Sequence, residues 1–380
     1  MNAPTPYLAS KPHYLILDGL RGVAAFVVLG YHLCEACGIV LGHGYLGVDF
    51  FYALSGFVIG YAYDNRWGSM TLGSFFSRRI IRLHPMLLMG GFVGLLFYYF
   101  GASEAFPYIG ESPWWVVLLL FVYCSLMLPM PNSWDIRGWQ DFNSFNGSSW
   151  SLYWEYLANI LYALVFRFLP TAVLAVVTVV AALGTIDITF NLDVFGLLDG
   201  RCGAPFTVNG GWNLTSAELY VGAVRLMYPF LAGLLLSRVG KYIKLSGAFV
   251  WCSLIVVAML LVPQLEGAVN GTYEAFVILL LIPFIIALGA GSQIKSKRLE
   301  SACRWLGDIS YPLYITHLPF IYMQLAWMSN HPEATTGEAV MLAVSTAVVS
   351  VAVAYALLKL YDLPLREWLT KHWLQRKSEK

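Results

Sequence analysis

Long apolar runs set the pattern of this chain. Stretches of roughly 17–25 mostly apolar residues are long enough to cross a bilayer as helices. Candidates lie near 14–34, 45–63, 83–100, 114–130, 150–168, 170–190, 218–237, 247–263, 273–291, 308–327 and 338–360. The first carries Asp18 and Arg21 and has no small-residue cleavage site, so it reads as a retained helix and not a removed leader. The expected fold is all-α, a polytopic helix bundle in the membrane.

Basic residues in short loops orient such a bundle. Clusters follow the second run (Arg66, Arg78, Arg79, Arg82), the seventh (Arg238, Lys241, Lys244) and the ninth (Lys295, Lys297, Arg298). A fourth closes the chain with Lys371, Arg376, Lys377 and Lys380. Eleven crossings from a cytoplasmic N-terminus would put three of these four clusters outside. Treating 114–130 as a re-entrant or interfacial segment within a long outer stretch, 101–149, leaves about ten crossings with both termini cytoplasmic. All but Arg21, Arg137, Arg201 and Arg225 of the 23 basic residues then lie at or inside the inner boundary. No internal repeat or linker divides the chain, so 1–380 reads as one membrane domain with no appended soluble domain. The outer stretches 101–149 and 191–217, rich in Gly, Pro, Asn and Trp, read as irregular caps.

Composition supports this picture. Hydrophobic residues make up 58% of the chain and charged ones 12%, about half the charged share of a soluble domain. A formal net charge of +1 offers no basic field for nucleic acid, and phosphate-loop motifs are absent. Cys34 and Cys37 with His43 make too small a ligand set for a metal, so no metal site is expected; a disulfide between the two cysteines stays open.

Ionisable groups at membrane depth are costly and mark function by default. Arg21 and His32 are eleven residues apart, about 16 Å and three turns on a helix, so they share a face. His32, Asp49 and Glu155 come from three helices and are expected at one depth near the outer end, as a buried acid/base site would need. Each has a plainer reading: a helix–helix hydrogen bond for His32, an interfacial carboxylate for Glu155, a structural role for Asp49. Arg225 and His317 are also embedded. Arg78, Arg79 and Arg82 form the densest charge cluster, with Arg79 and Arg82 neighbours on one face if the segment is helical, suited to phosphate or to topology alone. The aromatic stretches at Trp114–Trp115 and Trp150–Trp154 suit an interfacial belt, with sugar stacking a second use for Trp150. Staggered Arg, His and Glu residues also fit a proton-coupled transporter, although repeats typical of transporters are missing.

Seven segments in order, LDGLRGVAAFVVLGYH, GVDFFYALSGFVI, FFSRRIIRLHP, SSWSLYWEY, VRLMYPFLAG, LGDISYPLYITHLP and YDLPLREWL, resemble the integral-membrane acyltransferase type 3 family, whose members O-acylate sugars, polysaccharides, peptidoglycan or macrolides. The resemblance runs from 17 to 369. It implies that Arg21 and His32 match an Arg-x10-His motif with His32 as base, and that Arg79 and Arg82 match an Arg-x2-Arg motif associated with the acyl-CoA nucleotide. Glu155 matches a carboxylate, and Tyr311 with His317 a Ser-Tyr…His segment. It implies acetyl-CoA as co-substrate, a carbohydrate or glycolipid acceptor at the outer side, and a bacterial inner membrane. Arg225, Tyr311, His317 and Trp150 are the expected substrate contacts. Direct attack by the acceptor and an acyl-histidine intermediate both remain open. Asp362-Leu363-Pro364 departs from the family's usual Glu-x-Pro.

Overall fold

The computed structural model describes residues 14–39 and 41–375. Arg376, Lys377, Lys380 and both termini lie outside the described residues. The described chain is all-helical, with no strand, as a bilayer demands when backbone groups must bond within their own segment. The helices are α1 Leu15–Glu35, α2 Leu46–Tyr63, α3 Leu72–Leu96, α4 Trp114–Ser125, α5 Trp150–Leu164, α6 Thr171–Thr189 and α7 Ser216–Val239. They continue with α8 Ala248–Leu261, α9 Gly267–Phe276, α10 Ile282–Gly291, α11 Lys297–Thr316, α12 Leu318–Asn330, α13 Thr336–Leu357 and α14 Leu363–Leu369.

Seven helical stretches among the described residues are long and apolar enough to cross a bilayer; α9 and α10 form one of them, joined through a wide π-helical turn at Val277–Leu281. The other crossings expected from the sequence fall on shorter or broken pieces: α5, α8, and the α11–α12 pair interrupted at His317. At 12 residues, α4 is only about 18 Å long, too short for a core of about 30 Å, in line with its expected non-spanning role. The Arg-bearing segment 72–82, expected as a loop edge, is instead the first turns of α3, capped by Thr71 accepting from the Ser74 amide.

α2 and α7 pack along most of their length. Their close approach uses reciprocal glycines: a Cβ on Gly56 would stand 1.9 Å from the Phe230 carbonyl oxygen, and one on Gly233 1.9 Å from that of Ala53. Where lipid is as apolar as leucine, such small-residue contacts are what draws helices together. At the end of the bundle bearing Arg66, Asp64 accepts from Tyr162 (2.7 Å) and Arg238 (2.7 Å), tying α2 to α5 and α7.

The opposite end is ordered, though irregular. Glu218 and Glu274 are fully buried and receive the backbone amides of Cys202, Gly211 and Val208 at 2.5–2.8 Å, which fastens the 191–215 cap to α7 and α9. Stretch 101–149 has its own core around Tyr98, Phe106, Ile136 and Tyr322. Arg137 sits inside it, 4.2 Å from the Tyr322 ring centre and bonded to the Ser144 carbonyl.

Asp141 lies on this cap, half-buried. Burial, then the neighbouring Asp135 charge, pushes its carboxyl up to about 7, with Arg137 pulling the other way. A carboxyl raised in the folded state weakens folding increasingly as pH climbs from the ordinary carboxylate range through 7.

Two outcomes are expected from this packing. Gly56→Ala or Gly233→Ala should lower stability in detergent by about 1–3 kcal/mol, read as thermal midpoint; wild-type stability in both would contradict the close crossing. Asp141→Asn should stabilise the protein more at pH 8 than at pH 5. The gain is bounded by about 4 kcal/mol, three units at about 1.36 each, and reduced by its partial exposure; an equal gain at both pH values would refute the raised carboxyl.

Candidate active site

A cavity of about 470 Å³ opens into the bundle between α1, α2, α3, α5 and α11. One wall is α2 from Val48 to Tyr63, about 22 Å of helix at 1.5 Å per residue. One end is basic, lined by Arg21, Arg66, Arg78, Arg79 and Arg82; the other closes at Val48, Ser151 and Tyr314. The cavity is therefore a shaft along a helix, charged at one end and uncharged at the other.

Arg21 and Arg79 are held in place. Arg21 donates to Ser310 Oγ (2.9 Å) and to the Gly307 carbonyl (3.1 Å) and pairs with Asp18, one turn earlier on α1. Arg79 donates to Glu155 Oε1 (2.7 Å) and Asn159 Oδ1 (2.6 Å), and Ser55 donates to the same Glu155 oxygen. Arg82 feels the like charges of Arg21, Arg79 and Arg366. It makes no hydrogen bond among the described residues. Such a cluster in a cleft is a field for an anion with several negative oxygens. Tyr311 lines the same cavity, its hydroxyl donating to the Leu83 carbonyl.

His32 and His317 lie just beyond the uncharged end, their ring centres 5.3 Å apart; His317 is also 6.0 Å from Tyr314. His317 Nδ1 is 3.1 and 2.8 Å from the carbonyl oxygens of Leu313 and Tyr314. Carbonyls only accept, so Nδ1 carries the hydrogen and Nε2 presents a lone pair. His32 Nδ1 lies 3.1 Å from Glu35 Oε2, and the same logic leaves its Nε2 able to take a proton.

The structure separates the three residues expected to converge. Asp49 is fully buried and ion-paired with Arg225 at 2.7 Å, Glu155 belongs to the arginine end with Arg79, and His32 has Glu35 and His317. The start of α5 is covered by the buried stretch Asn143–Ser149, and Glu155, one turn into the helix, points into the cavity towards Arg79. The carboxylate beside His32 is Glu35, absent from the sequence reading although its i+3 spacing in His32-Leu33-Cys34-Glu35 is a helical-pair signal. Asn159, one turn after Glu155, was open to the same reasoning; Ser310 is the serine of the Ser-Tyr…His segment, whose bond to Arg21 the sequence did not indicate.

Arg225 is a strut and not a free substrate contact. It donates to Asp49 twice, to the Tyr45 carbonyl (2.8 Å) and to the Gly210 carbonyl (3.0 Å). Its carbon also lies 5.0 Å from the Trp150 ring centre, and Trp150 packs edge-on against Trp212. Trp150 is thus part of this strut, half-buried at the start of α5. Cys34 and Cys37 are free thiols. No metal-ligand cluster occurs among the described residues.

A family model described as "Acyltransferase domain" matches residues 14–359. The chain is 24% identical over 336 residues to the peptidoglycan O-acetyltransferase OatA of Listeria monocytogenes, covering 82% of this chain and 50% of that protein. It is 26% identical over 328 residues to YrhL of Bacillus subtilis, to which the same activity is provisionally ascribed, covering 81% and 48%. A shorter match, 40% over 78 residues, joins it to Protein 2 in picA locus of Rhizobium radiobacter, covering 20% and 41%. The chain spans about half the length of these curated relatives or less. No solved structure matches.

Arg225→Met should destabilise the protein by about 3–5 kcal/mol, because it strands the Asp49 carboxylate in a low-dielectric interior. The double variant Asp49→Leu, Arg225→Met should recover much of that loss. Unfolding midpoints of the two variants in detergent decide it: a double variant no better than the single would contradict a paired structural role.

Proposed function

The chain belongs to the acyltransferase family matched over residues 14–359, and from that premise we propose that it moves an acetyl group from acetyl-CoA to a hydroxyl of peptidoglycan or a related carbohydrate. The observation that carries this reading is the shaft itself, with an arginine cluster at one end and a histidine pair beyond the other. In it the donor's phosphates sit at Arg79 and Arg82, assisted by Arg21 and Arg78. The uncharged pantetheine arm lies along α2, and the thioester reaches the region of Tyr314. Arg-bearing loops mark the cytoplasmic side, so donor enters from the cytoplasm of a bacterial inner membrane and acceptor from outside, with both chain termini cytoplasmic.

His32 is the base. Glu35 holds its Nδ1–H and steadies the imidazolium that forms, the role a carboxylate plays beside a catalytic histidine. The acceptor O–H proton passes to His32 Nε2 as the oxygen attacks the thioester carbonyl. The C–S bond then breaks, and the departing thiolate takes the proton, leaving an ester and free CoA. The names of two relatives matched over about four fifths of this chain, a peptidoglycan O-acetyltransferase and a protein to which that activity is provisionally ascribed, support the acceptor class. Family membership also weighs against the transporter alternative.

The test is labelled acetyl-CoA with purified protein in liposomes and soluble peptidoglycan fragments outside. His32→Ala should abolish transfer while acetyl-CoA binding persists, and Glu35→Gln should lower kcat by about 10–100-fold with acceptor KM little changed, as expected for a lost orienting charge. Arg82→Gln should weaken acetyl-CoA binding by about 10–100-fold, the worth of charge-assisted hydrogen bonds. Full transfer by His32→Ala would overturn the base assignment. Undiminished acetyl-CoA binding by Arg82→Gln would remove the nucleotide from the arginine end. Trapped acetyl on His32 would replace direct attack by an acyl-histidine route.

A further inference from the structure

Beside the histidine pair, three buried polar atoms from two separate segments have no hydrogen-bond partner among the described residues: Asn146 Oδ1, Ser148 Oγ and His317 Nε2. Their residues are only 1%, 3% and 1% exposed. Buried polar atoms nearly always find a partner, and those that do not call for a specific explanation.

The two segments are locked face to face. Asn146 Nδ2 donates to the Ile315 carbonyl (2.6 Å), and the Gly147 amide donates to the Tyr322 hydroxyl (2.9 Å). Ser151 Oγ donates to the Ser148 carbonyl (3.2 Å) and bonds the Tyr314 hydroxyl (2.8 Å), one turn before His317. A Cβ on Gly147 would stand 2.4 Å from the Tyr322 oxygen, so this approach needs glycine there. The turn Gly147–Ser149 therefore holds Asn146 and Ser148 against the α11–α12 junction where His317 sits.

Chemistry narrows what belongs there. The Ile315 carbonyl accepts from Nδ2, so the amide is not flipped and the free atom is the oxygen. The backbone carbonyls on His317 Nδ1 make Nε2 a lone pair. Asn146 Oδ1 and His317 Nε2 are thus pure acceptors and the Ser148 hydroxyl both donates and accepts, yet none of the three is matched by a group of the protein among the described residues. Phosphate or carboxylate would oppose acceptor to acceptor, whereas neutral hydroxyl groups supply what is lacking. The arginine end of the shaft has the reverse preference.

We propose that Asn146, Ser148 and His317 form the subsite that grips the hydroxyl-rich acceptor, with Asn146 and Ser148 its specificity contacts. This rests on the acetyl-transfer reading above. The hydroxyl held here faces His32 across the 5.3 Å ring separation, so the subsite presents the acceptor oxygen to the base.

Ser148→Ala is the incisive variant because it removes a hydroxyl that bonds nothing in the protein. With purified full-length chain in liposomes, labelled acetyl-CoA and soluble peptidoglycan fragments as acceptor, it should raise acceptor KM about tenfold, the worth of one hydrogen bond to a buried group. Acetyl-CoA affinity and thermal midpoint should stay at wild-type values. Unchanged acceptor KM with intact acetyl-CoA binding would overturn the subsite and assign these atoms to buried water. Wild type that binds acetyl-CoA but acetylates none of the fragments would likewise overturn it as an acceptor site of this class. Wild type that fails to bind acetyl-CoA would overturn the transfer reading instead.

Discussion

A salt bridge sealed inside the bundle, Asp49 to Arg225, is the constraint on which the rest of the architecture depends. Burying two charges costs several kcal/mol each, and the pair persists only where geometry and extra hydrogen bonds repay that cost. Here the extra bonds run to the Tyr45 and Gly210 carbonyls, so one guanidinium joins α2, α7 and the outer cap. The glycine crossing at Gly56 and Gly233 then brings the two helices into backbone contact on the same side. Between the ion pair and this crossing, α2 has no freedom to rotate or slide, and α2 is the long wall of the cavity. The shaft is as straight and as narrow as that strut makes it.

Much of this was legible in the residues. The apolar period located the helices, and the basic clusters implied a charged end. Arg79 and Arg82 three apart implied one helical face, and α3 carries them on its first turns. Arg21 and His32 eleven apart implied a shared face, and they do sit at opposite ends of one helix beside one shaft. The partner of Glu155 was not legible. The helix begins where the sequence placed it, at Trp150, but hydropathy does not register which neighbours a buried carboxylate meets, here Arg79 and Ser55 and not His32. The crossing count suffers similarly, because α5 and α8 are each shorter than a full span and the α11–α12 stretch is broken at His317.

Partner choice is the other thing hidden from sequence. Asp49 and Glu155 look alike as embedded carboxylates, and both have arginine partners, yet one pair is sealed and the other borders a cavity. Asp49 faces a fully enclosed guanidinium, while Arg79 and Glu155 keep some exposure, 13% and 11% of their side chains. Sealed charge is architecture; charge that still touches an accessible space can exchange its partner for a ligand. Glu35 is the converse case. It is exposed, near a helix end and unremarkable in composition, and only its spacing from His32 marks it.

On the acetyl-transfer reading proposed above, these facts bear on how one bundle handles two reactants of opposite character. An anionic nucleotide carrier and a neutral polyol cannot share a binding surface, because donors that satisfy phosphate leave hydroxyl-seeking acceptors unmatched. The fold separates the two chemistries along the axis of α2. Guanidinium groups collect at one end, where Glu155 and Asp18 hold several of them apart and keep their charge from accumulating unopposed. At the far end charged groups give way to Tyr314, Ser151 and the unpartnered acceptors beside His317. The only chemistry required at the meeting point is a base whose proton acceptor is free, and both histidines are turned so that Nε2 is that atom. Polarity is thus graded from cation to neutral acceptor over the length of one helix, and on the proposed reading each reactant takes its own end of that gradient, with the reacting atoms meeting at His32.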